Sequence, residues 1–457
     1  MTNSPLDDLR SVFGAFSHEA PAAPVADPEY PPPPEVPGDD DLPDEPVFSP
    51  LSGLLLEPSA RFDGDPDSSP WNVAEPVLWR ALQIVDIEHV EERVLDGLNG
   101  VFWGRVRYPD GGDDSFQVPI KSVLVKFGGP PKPWIYEAWG SEYLLEDRPS
   151  ALLERELAAY EVAKACGMED LVPPMVSKEV DVVRLLSDAA RERIASVLRV
   201  SPLLVDETLG IAAIVQLYPK NSDNFLETWA SLGATCEERW KSASDRLRHA
   251  MYRAFILDFV LGVQDRMLAS YLYNKTTDRL AILDMGLCFP HPGFSAEKYM
   301  RARQEGWGRA IRNGFEKPME TWPAHSCDLS RVIGELGYNG RKELVQTIQQ
   351  VTGAINEEVG AHLVRVLASF EIPIQGIVGA VMRLAYAAAD PEALAEKPMD
   401  FIRNVAMPLR KGMGTDEHRI ETVVQKASAM LAAGLGEEVD IIGVMQEELP
   451  DTSSLLL

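Results

Sequence analysis

The chain is short of cysteine, of basic residues relative to acidic ones, and of long apolar runs, and each shortage removes a class of function. Its four cysteines, Cys166, Cys236, Cys288 and Cys327, are far apart, with neither a C-x-x-C pair nor a Cys/His metal spacing. That pattern predicts reduced, buried thiols rather than a disulfide framework or a zinc module. No stretch approaches the roughly eighteen apolar residues of a membrane span, and the opening MTNSPLDDLR lacks the basic end and apolar block of a signal peptide. A cytoplasmic protein is therefore expected. With 43 Lys+Arg against 71 Asp+Glu the net charge is −28, which argues against nonspecific binding of nucleic acid or anionic lipid, since both rely on a basic surface to displace counterions. Any phosphate-bearing ligand has to be held in a local pocket.

What is present begins with a composition shift. Residues 1–72 carry fifteen Asp/Glu against two Arg and no Lys, a net of −13, so nearly half of the excess charge lies in the first sixth of the chain. The segment PAAPVADPEYPPPPEVPGDDDLPDEP has too few large apolar residues to offset the entropy of ordering, and reads as a disordered, Pro-rich acidic arm. Its tip differs. Ser4 can cap a helix, Pro5 suits the first helical position, and Leu6, Leu9, Val12, Phe13 and Phe16 fall on one face of residues 5–16. A short amphipathic helix that docks in a partner protein's groove is one expectation, and a helix folding back on its own chain is the other.

Globular patterning starts near Trp71. The runs VFWGRVRY (101–108) and KSVLVKF (121–127), separated by Pro109-Asp110-Gly111-Gly112, predict a β-hairpin. Residues 150–166, SALLERELAAYEVAKAC, have helical spacing behind a Ser cap and stop at Gly167, and IAAIVQLY (211–218) predicts a buried strand. Beyond it the pattern predicts one long helix over 236–262, a loop at 263–270, and two short strands around YLY and LAILD. Helical patterns fill 329–435. Strands first and helices afterwards point to an α+β body.

Four features stand in an informative order. Lys126 ends a β-run, Glu156 lies within the following helix, Asp265-Arg266 occupies a loop after a long apolar helix, and Asp284 follows the strand LAIL. Phosphoryl transfer uses parts of these kinds, because its transition state spreads negative charge over phosphate oxygens. A cation must reach those oxygens and a carboxylate must hold the cation. A second carboxylate must carry the metal, and a further group must orient the nucleophile. Singly, each residue has a plain reading as a solvated strand end or a helix-surface charge.

The segment GVQDRMLASYLYNKTTDRLAILDMGLCF resembles the catalytic and metal-binding segment of phosphatidylinositol 3- and 4-kinases, D-R-x-x-x-N followed by I-D-x-G. LLERELAAYEVAKACGMEDLVPPMV is similar to the R-E-x-A-A-Y and L-V-P-P-T-V signatures of small actinobacterial kinase-like proteins, with Arg155, Glu156, Ala158, Ala159 and Tyr160 at the matching positions. The resemblance covers about residues 76–300. It implies a two-lobed, protein-kinase-like fold of the phosphatidylinositol-kinase-like type, with an N-lobe over 73–218, a C-lobe over 219–328 and a helical extension over 329–457. It implies an ATP-dependent phosphotransferase using Mg²⁺ or Mn²⁺ and acting on a protein or small molecule. Lys126 would contact the nucleotide phosphates and Glu156 would pair with it. Val215 to Tyr218, with Gln216 and Tyr218, would form the hinge facing adenine, and Gly97, Asn99 and Gly100 a turn covering the nucleotide. Asp265 and Arg266 would form the catalytic loop, and Asp284 would bind the metal. The resemblance and the Ala/Asp/Pro-rich composition also suggest an actinobacterial or phage source, with virion association in the latter case.

Two departures bear on activity. Ser270 stands where the family has its second metal ligand, Asn, and Met267 where lipid kinases often carry histidine. A hydroxyl is a weaker and shorter metal ligand than an amide, so a catalytically silent, kinase-derived binding protein tethered through its arm is the alternative expectation. A toxin kinase of the HipA type shares only the catalytic logic. KGMGTDEHRI (411–420) is similar to the calcium turn of annexin repeats, but it occurs once, and Thr415 capping a helix with Asp416 and Glu417 in its first turn accounts for it. The histidines, among them His291 and His325, show no ligand spacing.

Overall fold

The computed structural model describes residues 71, 75–84, 86–95, 100–107, 122–127, 151–180, 211–219, 221–263, 268–290, 332–333, 336–354, 362–363, 366–370, 372–389 and 391–396. All of them fall within one compact unit, Phe48–Leu457. The predicted docking face of Leu6, Leu9, Val12, Phe13 and Phe16 lies outside the described residues. So do Gly97, Asn99, Asp265, Arg266, Met267, His291, His325 and the 411–420 segment.

The architecture is α+β, with two small antiparallel sheets and helices. Helix α1 (Glu75–Ile84) precedes strands β1 (Asp86–Leu95), β2 (Gly100–Arg107) and β3 (Ser122–Phe127). Helix α2 (Ala151–Ala165) follows, then β4 (Met175–Val180) and β5 (Ile211–Leu217). These strands form one sheet in the order β1-β2-β3-β5-β4, with every neighbouring pair antiparallel. The alternation in VFWGRVRY and SVLVKF is what a pleated hairpin requires, and β2 and β3 pair from Gly100 opposite Phe127 to Arg105 opposite Ser122.

Register assigns residues to the two faces of this sheet. Lys126 lies opposite Ile214, Leu124 opposite Gln216 and Trp103, and Gln216 opposite Met175. Directly opposed residues share a face, so these six residues lie on one side. Phe102, Val123, Val125, Phe127, Ala213 and Val215 lie on the other, where all six are buried. Helix α1 covers that second face near β4, with Lys178 Nζ donating to Gln83 O at 3.0 Å.

The Lys126 face opens onto the main core. Ile214 and Met175 join one apolar cluster with α2 and with the rest of the chain: β6 (Asp223–Asn224), α3 (Phe225–Ser231), α4 (Cys236–Ser242) and α5 (Asp245–Leu261), then β7 (Tyr271–Asn274), β8 (Arg279–Ile282), α6 (Tyr338–Gly353), α7 (Ile374–Ala389) and α8 (Pro391–Glu396). Strands β6, β7 and β8 form the second sheet. In α2 the consecutive residues Glu154, Arg155 and Glu156 are all buried. Successive helical side chains point about 100° apart, so α2 is enclosed on several sides rather than lying on a surface.

The single long helix predicted over 236–262 is in fact two. Ala243 takes an extended conformation (ψ 140°), and Ser244 caps a new helix by accepting from Leu247 N–H at 3.0 Å. An apolar period continued across 236–262 hides this break, because Ser244 is as compatible with a helix surface as with a cap. Helix α4 has its own capping box, in which Thr235 and Glu238 exchange side-chain to backbone hydrogen bonds. Cys166, Cys236 and Cys288 are reduced thiols; Cys236 is half-buried, and burial beside Glu169 pushes the Cys166 thiol up to about 12. Among the described residues no helix is long and apolar enough to cross a membrane.

Candidate functional site

The site is built where three elements meet: the third strand of the five-stranded sheet, helix α2, and the segment after β8. Lys126 is the last residue but one of β3, and its Nζ donates to both oxygens of Glu156 at 2.7 Å. The side chains are 4% and 1% exposed. A buried pair of this kind persists only when the remaining polar atoms are also served. Glu156 Oε1 takes a further hydrogen bond, from Met285 N–H at 3.0 Å.

That bond brings Asp284 to the pair. Asp284 is exposed and adopts a left-handed backbone (φ 58°), a region in which aspartate is among the few non-glycine residues commonly found. Ser270 closes the short helical turn before β7, and its carbonyl accepts from Leu283 N–H at 2.9 Å. Two oxygen-bearing side chains, of Asp284 and Ser270, therefore stand at neighbouring backbone positions. Among the described residues no group of three or more His, Cys, Asp or Glu gathers around a common point.

The chain leaves α5 towards Asp265 from a defined point. Helix α5 ends at Gly262 in a left-handed conformation (φ +71°), with Gly262 N–H bonded to Phe259 O and Val263 N–H to Asp258 O at 3.0 Å. This is the double hydrogen bond of a Schellman cap. A Cβ on Gly262 would lie 2.6 Å from Pro290 Cδ, so this turn requires glycine for its space as well as its φ. Asp258 also accepts from Tyr271 OH at 2.6 Å, tying the end of α5 to β7.

Along the Lys126 face towards the end of β5 lie Gln216 and Tyr218. Gln216 is fully buried; its Nε2 donates to Pro173 O at 3.5 Å and its Oε1 has no hydrogen-bond partner. Tyr218 is half-buried, and burial together with Asp223 holds its hydroxyl above the ordinary range. Its ring meets that of Trp103, with centroids 4.1 Å apart and planes tilted by 59°. Gly100 begins β2 opposite Phe127, one residue beyond Lys126.

The structure thus brings together Lys126, Glu156 and the backbone beside Asp284 and Ser270, with Gln216 and Tyr218 on the same sheet face. Two contributors carry no assigned role from spacing alone. Trp103 was detectable in principle, because the alternation of VFWGRVRY puts it on the opposite side from Phe102 and Gly104. Arg155, buried in α2, donates from Nη1 to Cys288 O and to Phe289 O; a charged residue inside an enclosed helix is its sequence signal.

The sequence matches no known family model and no curated protein. Among solved structures, the Helicobacter pylori proinflammatory kinase CtkA superposes with a TM-score of 0.34 at 10% identity, over 68% of this chain and 96% of that one. A superposition of that quality does not establish a shared fold, and the site's geometry has to stand on its own.

Proposed function

We propose that the chain is an ATP-dependent phosphotransferase with a two-lobed, protein-kinase-like body of the phosphatidylinositol-kinase-like type, acting on a protein or a small molecule. The observation that carries this reading is the buried Lys126–Glu156 pair, held at 2.7 Å, whose carboxylate also receives the N–H of the residue after Asp284. A lysine on the third strand paired with a glutamate on the next helix, beside a metal-binding aspartate, is the arrangement that phosphoryl transfer from ATP uses.

In this reading Lys126 binds phosphate oxygens and Glu156 keeps its ammonium from swinging away. Asp284 and the hydroxyl of Ser270 would hold Mg²⁺ or Mn²⁺, since both offer the hard oxygen donors that such ions take. The metal, when bound, neutralises charge on the transferring group. Asp265 orients the acceptor hydroxyl with Arg266 beside it, and Gln216 and Tyr218 line the base end, where Trp103 adds an aromatic surface. Gly97, Asn99 and Gly100 are assigned to the covering of the phosphates. A thermal-shift titration with ATP and Mg²⁺ or Mn²⁺ tests this: stabilisation is expected for the wild type and its loss in Asp284→Ala. No shift with any nucleotide overturns it.

The second reading is a catalytically silent body of the same type that serves as a binding protein, tethered by its N-terminal arm. It is favoured by Ser270, which stands where the resembled family has an amide ligand. Nucleotide-dependent stabilisation without hydrolysis or transfer of radiolabelled γ-phosphate selects it.

A further inference from the structure

We propose that Arg155 is a positioning residue that fastens the Asp284 segment to helix α2, so that the lysine-holding glutamate and the metal-binding aspartate move as one unit. This rests on the phosphotransferase reading for its consequence, but not for its geometry. Two successive residues of α2 grip the two ends of one five-residue stretch. Glu156 accepts from Met285 N–H at 3.0 Å at its start. Arg155 Nη1 donates to Cys288 O, and to Phe289 O at 3.3 Å, at its end. The grip is returned, since Cys288 Sγ lies 3.6 Å from Arg155 O.

Arg155 is 2% exposed, and its Nη1 donates to two main-chain carbonyls. Main-chain acceptors fix a backbone path, which a flexible ion pair does not. The same stretch is tied on its far side. Phe289 N–H donates to Leu261 O at 2.7 Å, and Pro290 packs against Gly262, three positions before Asp265 in the sequence. A displacement of the 288–289 carbonyls would therefore be felt at Met285 and at Gly262 together. The role proposed for Arg155 is exerted through the segment that its Nη1 holds.

The test compares full-length wild type, Arg155→Lys and Arg155→Met by hydrogen–deuterium exchange without nucleotide, and by Mn²⁺·ATP binding. In Arg155→Met the amides of Met285 and Phe289 are expected to lose protection while those of α6 keep theirs, and Mn²⁺·ATP affinity is expected to fall about tenfold, the scale of one charge-assisted hydrogen bond. Arg155→Lys, which keeps the charge but not the fork, is expected to fall between. In any turnover assay kcat should fall in addition to the weaker Mn²⁺·ATP binding, because a misplaced Asp284 segment is felt in the transition state as well as in the bound ground state. Unchanged exchange at 285–289, or a loss of protection spread equally over α6, overturns the proposal. If Arg155→Met does not fold, Arg155→Lys carries the same comparison. Wild type that binds no nucleotide would refute the phosphotransferase reading alone, because the exchange pattern decides the role of Arg155 without it.

Discussion

At the scale of residues, the decisive feature is a lysine and a glutamate buried together. Taking two charges from water is costly, and their attraction repays it only while both are present and their other polar atoms are satisfied. Glu156 meets that condition through Lys126 and Met285 N–H. Lys126→Met removes the cation and leaves a carboxylate at 1% exposure without its counter-charge. The expected loss is about 3 kcal/mol of folding stability in urea denaturation. The double variant Lys126→Met/Glu156→Leu should recover most of it, since no buried charge then remains, although nucleotide binding should be absent in both. Equal stability of the single and double variants would mean that the pair is hydrated and does not form the enclosed site described above.

At the scale of elements, two helix ends decide where the site's loops begin. Helix α2 closes on Gly167, whose N–H bonds to Lys164 O while Met168 N–H bonds to Ala163 O, and α5 closes in the same way on Gly262. At Gly262 an added Cβ meets Pro290 at 2.6 Å and Arg383 Cζ at 2.9 Å in a left-handed backbone. Gly262→Ala is therefore expected to cost about 3 kcal/mol, from backbone strain plus overpacking, whereas Ser244→Ala, which removes the cap from the other end of α5 and the hydroxyl donor to Asp278, should cost about 1.5 kcal/mol. Chemical denaturation of the two variants gives the ranking, and the reverse order would place the rigidity of α5 at its start. These ends were legible in the sequence to different degrees. Gly167 follows a helical period directly and marks its own stop, while Ser244 sits inside an apolar period that continues past it. The hairpin of β2 and β3 shows in strict alternation. Strand β1, DIEHVEERVL, is too charged to read as a strand, and the placement of β5 between β3 and β4 depends on contacts distant in sequence. The Lys126–Glu156 partnership likewise came from family resemblance rather than spacing, because thirty residues separate the two and no local rule links them. Trp103 and Arg155 lacked an assigned role for the same reason: their partners, Tyr218 and the 288–289 carbonyls, are more than a hundred residues away.

At the scale of the molecule, the helices after residue 330 belong to the core that carries the site. The second half of α5 is buried from Ala254 to Leu261 with no exposed face, so it needs cover on more than one side. Helix α2 and strand β8 supply one part of that cover, and α6 and α7 supply another. Tyr252 OH donates to Gly340 O at 2.9 Å, and the fully buried Arg383 of α7 donates from Nε to Val260 O at 3.0 Å. A cation there also complements the negative end of the α5 dipole. Gly376 of α7 approaches Phe289 so closely that a Cβ would lie 2.7 Å from its carbonyl oxygen, so α7 also abuts the stretch held by Arg155. A chain ending at residue 330 would strip Leu344, Ile348, Val351, Ile377 and Leu384 from this core and expose the α5 surface they cover. It is expected to be insoluble or to melt without cooperativity. The point variant Arg383→Met keeps the packing volume but removes the donor to Val260 O, and should fold with about 2 kcal/mol less stability. Denaturation midpoints and size-exclusion profiles of the two decide the matter. A truncated chain that stays monomeric, melts cooperatively and still responds to ATP would show that α6 to α8 form an independent module and that α5 is held by α2 and β8 alone.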